Sequence, residues 1–351
     1  MPLDALIVGQ GLAGSLLAWE LMRQQFSVMV VDNGIENASQ VAAGLVNPVT
    51  GQRLAKSVDV DTLLPAALAC YRQLAEQFGQ EFFVALPMLR ILQNAREQRV
   101  AAQRLQDVAY QAWLRWHADP VAGLNSPFGL LAQQNTGYLR TRPLLEALRK
   151  FLIEHDSYRQ ARFDYAELEL QPVLGWRDLR PKHVVFCEGH RALDNPWFGQ
   201  LPFQPAKGEI LGCRAEIPCR QWLWNFGYWL IPQGQGEFRL GATFEPGKID
   251  TLPSKEARVV LLRALAEVCP ALRSVEVASH QAGVRPATLD KRPFVGPHPR
   301  YAHLHIFNGF GAKGSLAIPW HARRFADTLK AQTPLPLHSH VQRYDETYFP
   351  G

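Results

Sequence analysis

The residues best placed to do chemistry near the start of the chain are three glycines and an acid. "LIVGQGLAGSLLAWELMRQQFSVMVVD", residues 6–32, sets Gly9, Gly11 and Gly14 in the spacing GxGxxG and ends on Asp32. Glycines at that spacing permit a tight turn, let a pyrophosphate approach the backbone, and let the next helix pack closely on the preceding strand. An acid about 20 residues further on accepts hydrogen bonds from a ribose. The elements that must position these groups are legible around them. Residues 4–8 are mostly apolar, as a strand buried on both faces is. "SLLAWELMRQQ" carries apolar residues at helical spacing, and residues 26–31 read as a second apolar strand. The helix starts near Leu12 and Ala13, where its first amides and dipole favour a phosphate. The stretch therefore reads as a dinucleotide site, and by itself it leaves NAD and FAD open. An NAD enzyme of this design continues through further regular β-α units, and this chain does not.

Directly after Asp32 comes "NGIENASQVAAGLVNPVTGQRLAKS", with small residues at Ala38, Ser39, Ala42, Ala43 and Gly44. Such a run suits a backbone lying tightly against something flat or charged; the other reading is a ligand-free Ω-loop. GxGxxG, an acid, then ASxxAAGLVNP resembles the FAD-dependent enzymes of the D-amino acid oxidase and glycine oxidase superfamily, the DAO family. The resemblance extends to the flavoprotein half of the bacterial enzyme that matures wobble uridine in tRNA. Three later stretches fit in the family's order. "KHVVFCEGH", 182–190, resembles its third nucleotide-side strand, although Cys187 and Glu188 stand where small residues are commoner. "QAGVRPATLDKRPFVGPHP", 281–299, matches the family stretch G-[LV]-R-P-x-[ST]-x-D-x-x-P-x-[IV]-G almost position for position. "HIFNGFGAKGSLAIPWHARRFADTL", 305–329, resembles its C-terminal glycine loop and helix.

The resemblance implies an α/β fold, with a discontinuous Rossmann-like FAD-binding domain and a mixed α+β substrate domain containing an antiparallel sheet. The expected divisions are 1–61, 135–204 and 281–351 for the first, and 62–134 and 205–280 for the second. It also implies where FAD lies. Gly9, Gly11, Leu12, Ala13 and Gly14 form the pyrophosphate turn, with Asp32 and Asn33 at the ribose and Ser39 near the pyrophosphate. Ala42, Ala43, Gly44 and Leu45 lie beside the isoalloxazine ring, and Gly189 belongs to a strand-end turn. Asn308, Gly309, Phe310, Gly311, Ala312, Lys313, Gly314 and Ser315 make the loop and helix start facing its pyrimidine side.

Oxidation of a C–N bond by hydride transfer to flavin N5 asks the protein mainly to position substrate, exclude water and tune the ring. No conspicuous acid-base residue is required, and the sequence shows no Ser-His-Asp or metal-ligand constellation. In the glycine oxidase branch the arginine corresponding to Arg285 holds the substrate carboxylate beside the flavin, where a guanidinium fork matches two oxygens. Trp229 stands where that branch has a substrate-contacting tyrosine, and Tyr228 lies beside it. With Trp222, Trp224 and Phe226 they either roof the flavin or pack a core. Lys313 is either a cation at flavin N1 and O2, stabilising the reduced ring, or a solvated lysine. Asn47 is a further candidate for the active face. The expected reaction is therefore oxidation of a small amino or imino acid, with oxygen or a quinone taking the electrons. The alternatives are a modified nucleoside in tRNA as substrate, or a flavin-binding protein that has lost catalysis.

Bulk properties agree with a globular enzyme. The chain has 351 residues, 47% of them hydrophobic, and no run approaching the roughly 18 apolar residues of a membrane span. Five cysteines, odd in number and without a CxxC pair, argue against a disulfide framework or a zinc site. The start "MPLD" carries an acid and no Lys or Arg, unlike a signal peptide, so the cytoplasm is expected. A net charge of +5 is spread among interleaved acids, which leaves nucleic-acid binding without positive support. "VALPMLRIL" reads as one strand, 107–129 as an irregular loop over the active site, and 332–351 as surface or crossover structure.

Overall fold

The apolar runs flanking the first glycine turn form the centre of a parallel sheet. In the computed structural model, which describes residues 3–330, 333–344 and 348–349, Leu3–Val8 pairs with Val28–Asp32 on one side and Pro181–Phe186 on the other. Tyr158–Gln160 and Leu304–Asn308 extend the sheet in parallel, and Phe294–Pro297 closes one edge antiparallel. Alternation along the central strand serves two cores at once. Ala5 and Ile7 face the core built with Leu12–Arg23 and Gly314–Leu329, while Leu6 and Val8 face one containing Trp176, Phe186 and Phe198. This is why the strand is apolar without a polar face.

The second sheet has nine strands and is largely antiparallel. Its longest pair, Ala206–Arg214 with Glu276–Arg285, runs antiparallel from Ala206 opposite Arg285 to Arg214 opposite Glu276, with one register shift between Gly212 and Cys213. Glu237–Gly241, Trp229–Gly234 and Leu223–Asn225 follow on one side, then Met88–Ile91, Leu130–Gln133 and Leu114–His117. Glu276–Arg285 crosses the expected division at 280/281, because its ladder with Ala206–Arg214 continues to Arg285.

Two readings of the sequence differ from the structure. "VALPMLRIL" makes two strands rather than one. Phe83–Ala85 joins a small sheet with Gly137–Leu139 and Leu45–Val46, while Met88–Ile91 enters the large sheet. Pro87 stands at the break, where a residue without an N–H cannot continue a ladder. The 107–129 stretch is also not wholly irregular, since Leu114–His117 forms the edge strand beside Leu130–Gln133. In the described part of 332–351, Val295 N–H donates to the Ser339 carbonyl at 2.9 Å, and Arg343 pairs with Asp290 at 2.9 Å. Positions 332, 345–347 and 350–351 lie outside the described residues.

The closest backbone approach in the nucleotide half lies inside the first motif. A Cβ on Gly14 would stand 1.9 Å from the carbonyl oxygen of Gly9, which itself has φ +102°. Helix and turn therefore cannot separate by one methyl group without moving the strand end. Gly14→Ala is expected to destabilise the fold by about 1–3 kcal/mol or more, read as a lowered urea midpoint. An unchanged midpoint would show that this contact does not set the helix position.

Candidate active site

The carboxyl ends of the parallel strands open into one cavity of about 1350 Å³, with Val8, Asp32, Cys187 and Asn308 at its rim. Ligands in open α/β sheets bind at this end because the strand-to-helix turns expose backbone amides there. Gly11 is the N-cap of Leu12–Arg23 and has no side chain to close the helix end. Leu12 N–H donates to Ser39 Oγ at 3.0 Å, so Ser39 is docked on that end. Ser39 is presented by the short helix Ala38–Val41, which Asn37 and Gln40 cap reciprocally. Asp32 Oδ2 accepts from Gln10 N–H at 2.9 Å and Oδ1 from Gly34 N–H at 2.8 Å. These bonds hold the acid at the rim while each oxygen keeps a lone pair for a hydroxyl.

The cavity continues along Ala42, Ala43, Gly44, Leu45 and Asn47 towards Arg285, Trp229 and Ile210 on the second sheet. Arg239 fastens the small-residue strip. It donates Nη1 to the Ala42 carbonyl at 2.9 Å and Nη2 to the Val41 carbonyl, while Thr141 Oγ1 adds a bond to Ala42 at 3.1 Å. Burial holds the Arg239 guanidinium down to about 10. Arg285 donates Nη1 to the carbonyls of Thr243 and Lys207, at 3.2 and 3.5 Å. Its guanidinium lies over Gly208, with burial as the cause of a lowered pKa. Lys313 borders the cavity just before Gly314–Leu329, and desolvation, reinforced by Lys291, holds its amine below the ordinary value.

Nearly all the candidate residues meet in this cavity: Gly9, Gly11, Leu12, Ala13, Asp32, Asn33, Ser39, Gly189, Asn308, Phe310, Gly311, Ala312, Gly314 and Ser315 line it with those just described. Three do not. Gly14 lies beneath the turn. Gly309, at φ +80°, forms a bend that would put a Cβ 2.7 Å from Thr288. Tyr228 is a correction to the expected site residues: of the cluster read as either roof or core, Trp229 alone lines the cavity. Side chains alternate at the strand start, so Tyr228 turns towards Phe226 and the core that buries Trp224. The 107–129 segment is absent from the lining as well; its Asn125 N–H bonds to the Val268 carbonyl on the far side of the large sheet.

Sequence reasoning missed Arg239, which looks like an ordinary strand residue in "EFRLG". It also missed the strap 249–252, whose Asp250 accepts from buried Lys207 at 2.6 Å. Glu188 is a further surprise. It lines the cavity, accepts from Tyr165 Oη at 2.5 Å and Asn195 Nδ2 at 2.8 Å, and burial pushes its pKa up to about 7.

The comparisons with known proteins agree with this geometry. The family described as DAO, FAD dependent oxidoreductase, matches residues 4–328. The chain belongs to this family. It is 27% identical over 372 residues to a glycine oxidase of Pseudomonas aeruginosa, covering 94% of this chain and 95% of that one. It is 28% identical over 389 residues to the tRNA 5-methylaminomethyl-2-thiouridine biosynthesis bifunctional protein MnmC of Paracidovorax citrulli, covering 97% of this chain and 60% of that one. Among solved structures, a glycine oxidase from Geobacillus kaustophilus superposes with TM-score 0.83 at 21% identity, covering 94% and 95% of the two chains. An iminodiacetate oxidase from Chelativorans sp. BNC1 gives 0.80 at 22%, covering 96% and 98%.

The chain is thus an FAD-dependent oxidoreductase, and its cavity fits FAD on its own evidence. A helix end whose N-cap glycine has no side chain and which Ser39 meets, the bare turn at Gly9 and Gly11, a braced acid and a strip of small residues line one cavity. A prediction follows for Glu188. Its native pKa of about 7 lies above the ordinary 4.5, so the native state binds more protons than the unfolded state between those values. Stability should therefore be fully present below pH 4.5 and fall as pH rises through 7. The melting temperature of the apoprotein is expected to drop on the order of 2–5 °C across that window, and Glu188→Gln to flatten the drop. Parallel wild-type and variant profiles would remove Glu188 as the cause.

Proposed function

We propose that this enzyme oxidises the C–N bond of a small amino or imino acid, and that Arg285 binds the substrate carboxylate. The observation carrying this reading is the guanidinium at the cavity wall. It is tied by one nitrogen to two backbone carbonyls and joins no ion pair among the described residues, so its remaining donors are available. A planar fork of that kind suits two carboxylate oxygens. The names of its relatives, glycine oxidase and iminodiacetate oxidase, support the same substrate class.

When bound, FAD supplies the two-electron acceptor, taking at N5 the hydride of the carbon that bears the amine. The chain's own residues supply the setting. Arg285 orients the acid, and Trp229 and Ile210 wall off water beside it. Arg239 keeps the Ala42 carbonyl, and hence the strip along the ring, from shifting. Lys313, in the cavity lining, would add positive charge beside a bound flavin and so favour its reduced, anionic form. Five free cysteines fit a reducing compartment, and we read the cytoplasm as the place of action. Among the described residues no helix is long and apolar enough to cross a membrane.

Reconstituted enzyme is expected to bleach anaerobically with an amino or imino acid and to recolour with oxygen or a quinone, whichever is its acceptor. Arg285→Ala should raise KM on the order of 100-fold with FAD retained, while Lys313→Met should slow bleaching at unchanged KM. An unaltered KM in Arg285→Ala removes Arg285 from the substrate site. The match to MnmC supports a second reading, a modified nucleoside in tRNA as substrate. A gel shift with tRNA at low salt, together with indifference to free amino acids, would favour it.

A further inference from the structure

The large sheet reaches the cavity wall at residues 47–51 through two buried side chains. Gln133 has no exposed surface and donates Nε2 to Asn47 Oδ1. Arg90, 4% exposed, donates Nη2 to the Gly51 carbonyl at 2.8 Å. Asn47 and Thr50 line the cavity, while Gln133 and Arg90 stand behind them. Both anchors carry a buried atom without a partner, Gln133 Oε1 and Arg90 Nε. Burying unsatisfied polar atoms is costly, so the anchoring of this stretch is retained against a local penalty.

The direction of the Gln133 bond decides what Asn47 can offer. An amide has one accepting and one donating end. With its oxygen engaged by Gln133, Asn47 is left with an NH2 group that makes no hydrogen bond among the described residues, on a residue that lines the cavity. Together with Arg285, the site then presents donors from two separate elements, the glycine-rich strip and the Glu276–Arg285 strand. A glycine carboxylate at Arg285 would use only one of them.

We propose that Asn47, positioned by Gln133, determines specificity by donating to a second oxygen acceptor of the substrate. The substrate class is an amino or imino acid bearing a further carboxylate or amide carbonyl. This rests on the reading of Arg285 given above. Titrating the oxidised holoprotein with propionate and with succinate, followed by the flavin absorption change, tests it without turnover. Succinate is expected to bind about tenfold tighter than propionate, the worth of one charge-assisted hydrogen bond. Asn47→Ala should erase the difference by weakening succinate about tenfold more than propionate. Gln133→Leu keeps Asn47 but frees it to rotate, and should reduce the difference to about threefold. Equal binding of the two acids to the wild type, or a preference that survives Asn47→Ala, overturns the inference while leaving Arg285 in place. A holoprotein that binds neither acid overturns the Arg285 reading and this inference with it.

Discussion

The site depends first on how closely the helix Leu12–Arg23 sits on the turn at Gly9. With the Gly14 Cα against the Gly9 carbonyl, the helix axis points into the cavity and its first amides stand at the strand ends. Those amides have no partners within the helix, so they form an anion site only if nothing else fills the space in front of them. Gly11 contributes no side chain there, and of the small residues from Ala38 to Gly44 it is Ser39 that meets the helix end, through its bond from Leu12 N–H. Asp32 depends on the same seating, since its carboxylate is braced by the amide of Gln10 inside the turn. The helix end and the acid at the rim are therefore set by one backbone contact.

The second constraint acts on the small-residue strip along the cavity. It contains only two-residue strands and a four-residue helix of its own, too little regular structure to hold a position. Its carbonyls are gripped from the large sheet instead, by Arg239 at Val41 and Ala42 and by Arg90 at Gly51. Neither arginine forms an ion pair among the described residues, although the charge of Glu97 offsets part of the burial effect on Arg90. Burial lowers the pKa of both, which marks how strongly this wall is desolvated. Both guanidiniums stand behind the strip rather than in the cavity lining, so they hold its carbonyls without facing the cavity. Glu188 is one of several carboxyls in the lining, with Asp32 and Asp250 among the others, and burial pushes its pKa up to about 7.

The sequence by itself determined the nucleotide half and the family. Local signals suffice there, because a GxGxxG turn, an adjacent apolar strand and an acid at the strand end are contiguous in the chain and act through the backbone. The motif at Arg285 was legible for the same reason, as was the loop at Lys313. What only the tertiary structure decided lies where distant elements meet. Strand alternation sent Tyr228 into a core and Trp229 into the cavity, an outcome fixed by register with Glu237–Gly241 and Leu223–Asn225 rather than by composition. Pro87 split one apparent strand between two sheets, and 107–129 docked away from the site. Arg239, Arg90 and Gln133 gain their roles only because folding places their side chains against carbonyl and amide groups far away in sequence. Long-range hydrogen bonds of that kind leave no periodicity and no motif, since nothing in the spacing of a donor along the chain records the acceptor it will meet.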